Sequence, residues 1–410
     1  MNSAATRQNG ESAAWQSRAA AAMLMMYRRR RLMIRVADAL LRPLAWLSRS
    51  GPAPKLDQVK SILVFEPANL GDIVTLAPFL RSLRARFPQA RLAFVGKSST
   101  ESFLREQELA DELIPIRVPW AEHVSRWRRY NPFSPLWPSF AWSLILLRKR
   151  HFDLAFANGR SDIRHNLALW LTGARRRVGY GYAGGSFLLT DVVLPDLGHP
   201  HVTDLTLQFL KHLNIPTVHD GSLLRVSAGD QEFADKILTE RGAGPNDLLV
   251  GIHAGARKQA RQWGEDRFRQ VALQIVERFG GKIIWFADPA QPHAVSTGPN
   301  IIPVSLPLRQ FLAVLSRCRL LVCNDSGPMH MAGGLGVPVV AVFGPTQPEW
   351  FGPLGSQHRV VIRGDVWCRP CADHCLFKEP YCLRLIPVEQ VMEAVAQVME
   401  SLSLASASAF

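Results

Sequence analysis

"LLVCNDSGPMHMAGGLGVPVVAVFGPT", residues 320–346, reads as strand, turn, helix and strand. Its first apolar run ends at Asn324, Asp325, Ser326 and Gly327. Pro328 suits the first position of the next helix, because its missing N–H would be unpaired there anyway. "VPVVAVFG" then supplies a second strand. Strand, helix and strand in succession imply parallel pairing through a right-handed crossover. The amides of the helix's first turn and its dipole favour an anion. Ser326 adds a hydroxyl, and Gly327 lets a phosphate approach the backbone. An acid beside a phosphate would repel it, so Asp325 is assigned to a sugar or ribose hydroxyl. The same residue types also make an ordinary N-cap.

The alternation extends in both directions. "LLVGIHAG" (248–255), a helix over about 264–280, "KIIWFA" (282–287) and a helix over about 306–318 precede the opening stretch. "SILVFE" (61–66), a helical run ending at Pro88, "ARLAFVG" (90–96) and "DLAFAN" (153–158) form an earlier series. Between them, "VPWAEHVSRWRRYNPFSPLWPSF" (118–140), rich in proline and aromatics, reads as a loop facing a substrate. The chain is 410 residues long and 47% apolar, enough for two cores. The economical architecture is α/β, with two doubly wound domains over 56–221 and 222–390. Ligands in such sheets sit at the carboxyl ends of strands, so a cleft between the domains is expected. Residues 391–410 read as a closing helix with a loose tail, "ASASAF".

The net charge is +14, and residues 1–50 hold nine arginines against Glu11 and Asp38. Half of the excess therefore lies in the first eighth of the chain, without the spread of arginines and aromatics that a nucleic-acid face needs. No nucleic-acid partner is expected. The apolar stretch 19–27 is too short to span a bilayer, and its positive cluster follows it rather than preceding it as in a secretory signal. From Leu32 to Leu47, polar Arg31, Arg35, Asp38 and Arg42 form one stripe of a helix whose other faces are apolar. Residues 1–55 thus read as a basic amphipathic extension. It lies on an anionic membrane surface or packs on protein.

Two further strand ends carry chemistry. "EPANLGD" (66–72) is not the GxGxxG dinucleotide fingerprint, which argues against a nicotinamide enzyme. It sets Asp72 at a helix start, with Asn69 and Gly71 beside it as substrate-binding candidates. "HAGARKQARQW" (253–263) offers Arg257, Lys258 and Arg261 to neutralise a diphosphate leaving group.

"ILVFEPANLGDIVTLAPFLRSLRARFP", "GIHAGARKQARQWGEDRF" and "NDSGPMHMAGGLGVPVVAVFGPT" together resemble the signature regions of glycosyltransferase family 9, the ADP-heptose:lipopolysaccharide heptosyltransferases. The likeness runs from about Ser61 to the C-terminal helix. It implies a GT-B fold and inverting transfer of heptose from ADP-heptose to a hydroxyl of a glycolipid acceptor, with no cofactor or metal for catalysis. It also implies a cytoplasmic protein, peripheral on the inner face of the membrane, with the first domain on the acceptor side and the second on the donor side. By the same resemblance Asp72 is the general base, Ser326 and Gly327 meet the diphosphate, Asp325 meets the sugar, and His330 falls on a family histidine. The family's usual lysine before the tryptophan is Arg261 here. Its nucleoside-contacting glutamate has no clear counterpart, and Asp288 and Gln291 are the candidates.

Cys368, Cys371, Cys375 and Cys382 cluster near the end, while Cys318 and Cys323 read as core thiols. In a chain without an export signal the four read as a structural zinc or iron knuckle, or equally as free or paired thiols. Two readings stand beside heptose transfer: the same fold using another nucleotide-sugar or a protein acceptor, and a non-catalytic sugar-nucleotide-binding membrane scaffold.

Overall fold

The computed structural model describes residues 31–43, 52–67, 69–121, 127, 131, 133–157, 162–196, 198, 201–218, 223–287, 298, 300–371 and 375–407. The chain divides into two compact units, Met1–His219 and Asp220–Phe410.

The first unit holds β1 (Ser61–Phe65), β2 (Arg91–Gly96), β3 (Glu112–Pro115), β4 (Leu154–Ala157), β5 (Arg176–Tyr180) and β6 (Asp191–Val193). They form one parallel sheet in the order β3-β2-β1-β4-β5-β6. Its helices are α1 (Arg31–Leu41), α2 (Leu70–Arg86), α3 (Glu101–Glu106), α4 (Leu136–Arg148), α5 (Ile163–Leu171) and α6 (Val202–His212). The second unit repeats the plan with β7 (Leu249–His253), β8 (Lys282–Phe286), β9 (Ile301–Val304), β10 (Leu320–Asn324), β11 (Val339–Phe343) and β12 (Arg359–Ile362). Their order is β12-β11-β10-β7-β8-β9, again parallel. Its helices are α7 (Ala228–Glu240), α8 (Glu265–Phe279), α9 (Leu308–Leu315), α10 (Gly327–Leu335), α11 (Pro348–Phe351), α12 (Tyr381–Arg384) and α13 (Val388–Ala407).

Both strand orders are the doubly wound 3-2-1-4-5-6 arrangement, in which the direction of winding reverses at one pair of adjacent strands. That pair is β1 and β4 in the first unit and β7 and β10 in the second. Helices on both faces leave the strands nearly continuously buried, as the patterns of β4, β10 and β11 show. The second core is built on Val250, Ile252, Val322, Val340 and Trp285, with α8 and α13 closing over it.

Three local readings change. The stretch 118–140 is not loop to its end, because α4 starts at Leu136. Leu136, Phe140, Leu144 and Leu147 recur at helical spacing and are buried, Phe140 and the two later leucines within the first core. The closing helix runs three residues into the expected tail, to Ala407. Helix α1 turns part of its polar stripe inward: Asp38 Oδ1 accepts the Gly185 amide at 2.7 Å, and Ile34 packs at Gly184. Leu32 (76% exposed), Val36 (51%) and Leu40 (74%) face outward at i, i+4 and i+8. Residues 1–30 and 44–51, with most of the basic extension, lie outside the described residues.

Candidate active site

In the first unit the switch point is occupied by Asp72. Asn69 is the N-cap of α2, and the Asp72 carboxylate completes a capping box. Asp72 Oδ2 accepts from the Asn69 amide (3.1 Å) and from Asn69 Nδ2 (3.3 Å). Asn69 Oδ1 accepts in turn from Lys97 Nζ at 2.9 Å, just past the end of β2. Gly71, in the first turn of α2, is buried, and Asp72 is half-buried. The structure thus joins Asn69 and Asp72 as the sequence suggested and adds Lys97, whose lysine-after-strand position carried no motif. The carboxylate has a helix-capping role that an acid–base role must share.

In the second unit three strand ends converge. Arg261, in a short 3-10 turn after β7, places Nη1 3.1 Å from Asp325 Oδ2. Thr346, after β11, donates its hydroxyl to the same oxygen. Asp325 is only 2% exposed, so this pairing offsets the cost of burying its charge. The loop carrying Arg261 is clamped from both sides. Asn324 Oδ1 accepts the Trp263 amide (3.0 Å), and Asn324 Nδ2 donates to Ala254 O (2.7 Å). Trp263 is 3% exposed, lies edge-on to Phe268 at 5.0 Å and donates Nε1–H to Ile386 O (3.0 Å). Burying such a ring stabilises by roughly 1.5–3 kcal/mol or more, and here it fixes the arginine two residues earlier.

Asp325, read from the sequence as meeting a sugar hydroxyl, has a buried carboxylate that engages Arg261 and Thr346. Arg257 and Lys258 are exposed, and Arg261 pairs with Asp325. Helix α10 begins at Gly327, with Pro328 in its first turn and Ser326 as N-cap. Ser326 makes no side-chain cap; its hydroxyl donates back to Asn324 O at 3.2 Å. A Cβ built on Gly327 would meet nothing closer than Met331 Cε at 4.0 Å, so the space above this backbone is open to a ligand group. His330 is buried in α10. Asp288 and Gln291 lie outside the described residues.

Arg369, a residue without a sequence signal, supports this end of the sheet. Arg369 donates to Thr346 O at 2.6 Å and also to Gly344 O, holding the loop that carries the Thr346 hydroxyl. Burial lowers the Arg369 pKa, with Cys382, Glu349, Cys371 and Cys368 acting in the opposite direction.

Of the readings of the cysteine cluster, the described residues support free thiols. All six cysteines are free, and among the described residues no group of three or more His, Cys, Asp or Glu side chains is arranged to hold a metal ion. Cys382 sits inside the second core, and burial, against the pull of Arg369, pushes its thiol up to about 11. Cys318 and Cys323 are buried, and burial raises both thiols far above their ordinary range.

Residues 146–381 match the family model of glycosyltransferase family 9 (heptosyltransferase). The chain is 24% identical over 323 residues to lipopolysaccharide heptosyltransferase 2 of Escherichia coli (strain K12), covering 73% of this chain and 87% of that protein. Among solved structures, a family 9 glycosyl transferase from Veillonella parvula superposes with a TM-score of 0.66 at 23% identity, covering 85% and 99% of the two chains. The E. coli heptosyltransferase WaaC with ADP-2-deoxy-2-fluoro heptose gives 0.60 at 15%, covering 82% and 99%. At these identities the structural likeness establishes the fold, two Rossmann-like units of the GT-B type.

Proposed function

The chain belongs to glycosyltransferase family 9, and from that premise we propose that it transfers heptose from ADP-heptose to a hydroxyl of the lipopolysaccharide core, with inversion and without a catalytic metal. The observation that carries this reading is the meeting of Arg261, Asp325 and Thr346 beside the open backbone of Gly327, at the switch point of the second sheet. That is where a doubly wound sheet binds its nucleotide ligand.

Cleaving the anomeric bond leaves positive charge on the sugar and negative charge on the diphosphate. The first-turn amides of α10 and the Arg261 guanidinium stabilise that developing negative charge. Asp325 holds the guanidinium in place by an ion pair, and a guanidinium is suited to gripping a phosphate. Arg261 therefore serves where a divalent cation would otherwise be required. Asp325 acts through Arg261 and Thr346. On the first unit, Asp72 takes the acceptor proton as the acceptor oxygen bonds to the anomeric carbon from the face opposite the departing diphosphate, and that direct displacement inverts the configuration.

The protein works at the cytoplasmic face of the membrane, with α1 as its contact. Leu32, Val36 and Leu40 dip below the head groups while Arg35 and Arg42, both exposed, meet anionic lipid. Among the described residues no helix is long and apolar enough to cross a bilayer. Flotation with anionic vesicles should carry the full chain upward and leave a 51–410 truncation behind; equal flotation of both would end the anchor reading. The transfer itself is tested by incubating the protein with ADP-heptose and heptose-deficient lipopolysaccharide in the presence of EDTA. A product heavier by one heptose, of inverted anomeric configuration by NMR, is expected. Transfer only on adding a divalent cation would overturn the metal-free mechanism.

A further inference from the structure

At the carboxyl end of β4, four side chains close a ring. Asp162 is the N-cap of α5 and accepts the Arg164 amide at 2.9 Å. The Arg164 guanidinium folds back on the same carboxylate, Nε donating at 3.0 Å and Nη2 joining it. The guanidinium also lies over the ring of Trp120, 5.3 Å from its centroid. Trp120 Nε1 donates to His165 Nε2 at 3.3 Å. An indole N–H can only donate, which assigns the proton of a neutral imidazole to Nδ1. That nitrogen lies 3.1 Å from Asp162 Oδ1 and 3.3 Å from the Asp162 amide, so the carboxylate contact is the hydrogen bond.

A helix cap needs Asp162 alone. Here a tryptophan and a histidine with 10% of its side chain exposed also hold one arginine, which keeps 37% of its own side chain accessible. Surface arginines ordinarily have ~2 kcal/mol of rotamer entropy; this one is immobilised, with an edge left outward. Its place in the fold is specific. Parallel neighbours β2, β1 and β4 are in register at Val95, Phe65 and Ala157, near their carboxyl ends. The segments that follow them deliver Lys97, Asp72 and Arg164, so a lysine and an arginine flank the strand that carries the carboxylate. The Phe65 and His165 rings, 6.2 Å apart, tie the end of β1 to α5.

We infer that Arg164 is an anion-recognition residue, taking a carboxylate or phosphate of the acceptor saccharide that lies close to the accepting hydroxyl. The inference rests on reading the first unit as the acceptor side. A planar guanidinium grips either oxyanion through paired N–H groups. Asp162 takes the Nε and Nη2 side of the guanidinium, and a guanidinium carries five N–H donors in all. Trp120 and His165 are positioning residues for the guanidinium.

The test is calorimetric titration of the full chain with deacylated, heptose-deficient core oligosaccharide in three forms: untreated, methyl-esterified at its carboxylates, and dephosphorylated. Wild type should lose at least tenfold in affinity on one of the two treatments, which also identifies the oxyanion. Arg164→Gln should bind all three forms alike and at the weakened level, and Arg164→Lys should recover part of the discrimination. The inference is overturned if wild type binds the three forms equally or not at all, or if Arg164→Gln still discriminates among them. Binding is read independently of transfer. Retained discrimination without heptose transfer would therefore count against the proposed reaction and leave the anion site standing.

Discussion

Arg261 Nη1 lies 3.1 Å from Asp325 Oδ2, an ion pair that links the segment after β7 to the segment after β10. These are the two strands between which the second sheet reverses its winding. The pair makes the cation of the proposed donor site and the structural order of its loops a single feature.

Removing the arginine should therefore disturb both. Arg261→Ala removes the cation paired with the buried Asp325 carboxylate and leaves the Thr346 hydroxyl in place. Loss of stability is expected toward the lower end of roughly 3–5 kcal/mol, because Arg261 keeps 26% of its side chain exposed. Affinity for ADP should fall at least tenfold. Arg261→Lys should retain most of the stability and part of the affinity, since it keeps the charge without the fork. Unchanged ADP affinity in Arg261→Ala, measured on folded protein, would remove the residue from the donor site.

Asp72 carries a helix cap as well as the proposed proton transfer, and the two are separable. Asp72→Asn keeps an oxygen for the Asn69 amide and loses the base. Turnover should drop by about 10²–10⁴, the range of a general base, with ADP affinity and melting temperature nearly unchanged. Parallel loss of stability and activity across Asn and Ala variants would reduce Asp72 to its cap.

Asp162 gives the protein a pH-dependent contribution. Burial by itself would raise its pKa, but hydrogen bonds from His165 and Arg164 outweigh it and hold the carboxyl well below the usual range. A depressed folded pKa means stability present above the unfolded value of about 3.9 and lost as pH falls through and below it. Urea midpoints measured from about pH 5 down to about pH 2 should decline less steeply in Asp162→Asn than in wild type. Curves of equal slope would show that this carboxylate is not linked to folding.

The free-thiol reading of the cysteines can be checked chemically. Cys368, Cys371 and Cys375 are half-buried, whereas Cys318, Cys323 and Cys382 are buried. Ellman's reagent should modify the first three in the native state and the other three only after unfolding. Purified protein should hold less than about a tenth of an equivalent of zinc or iron, background for a tight structural site. Stoichiometric metal with all four clustered thiols protected would restore the knuckle.

The sheet was legible wherever strands were long apolar runs, as at 61–66, 248–255 and 320–325, because parallel strands buried on both faces advertise themselves. Strands such as Arg176–Tyr180 and Arg359–Ile362 escaped notice, since charged residues open them and neither has an apolar run beyond four residues. The site divides in the same way. Asp72, Ser326 and Gly327 stand at strand-to-helix turns with recognisable residue chemistry. Thr346, Arg369 and the ring around Arg164 depend on residues brought together across 21 to 45 positions, and no local pattern encodes that meeting. The pairing of Arg261 with Asp325 belongs to the same class: each residue was singled out, but the register of β7 against β10 joins them.

The most direct test of heptose transfer from ADP-heptose is calorimetric titration of the purified chain with ADP, UDP, GDP and their sugar conjugates, ADP-heptose among them. The account predicts selective binding of ADP-heptose, weakened in Arg261→Ala and retained in Asp72→Asn. Selective binding of a different conjugate would contradict the donor assignment, and no binding of any nucleotide would contradict the enzyme's proposed reaction altogether.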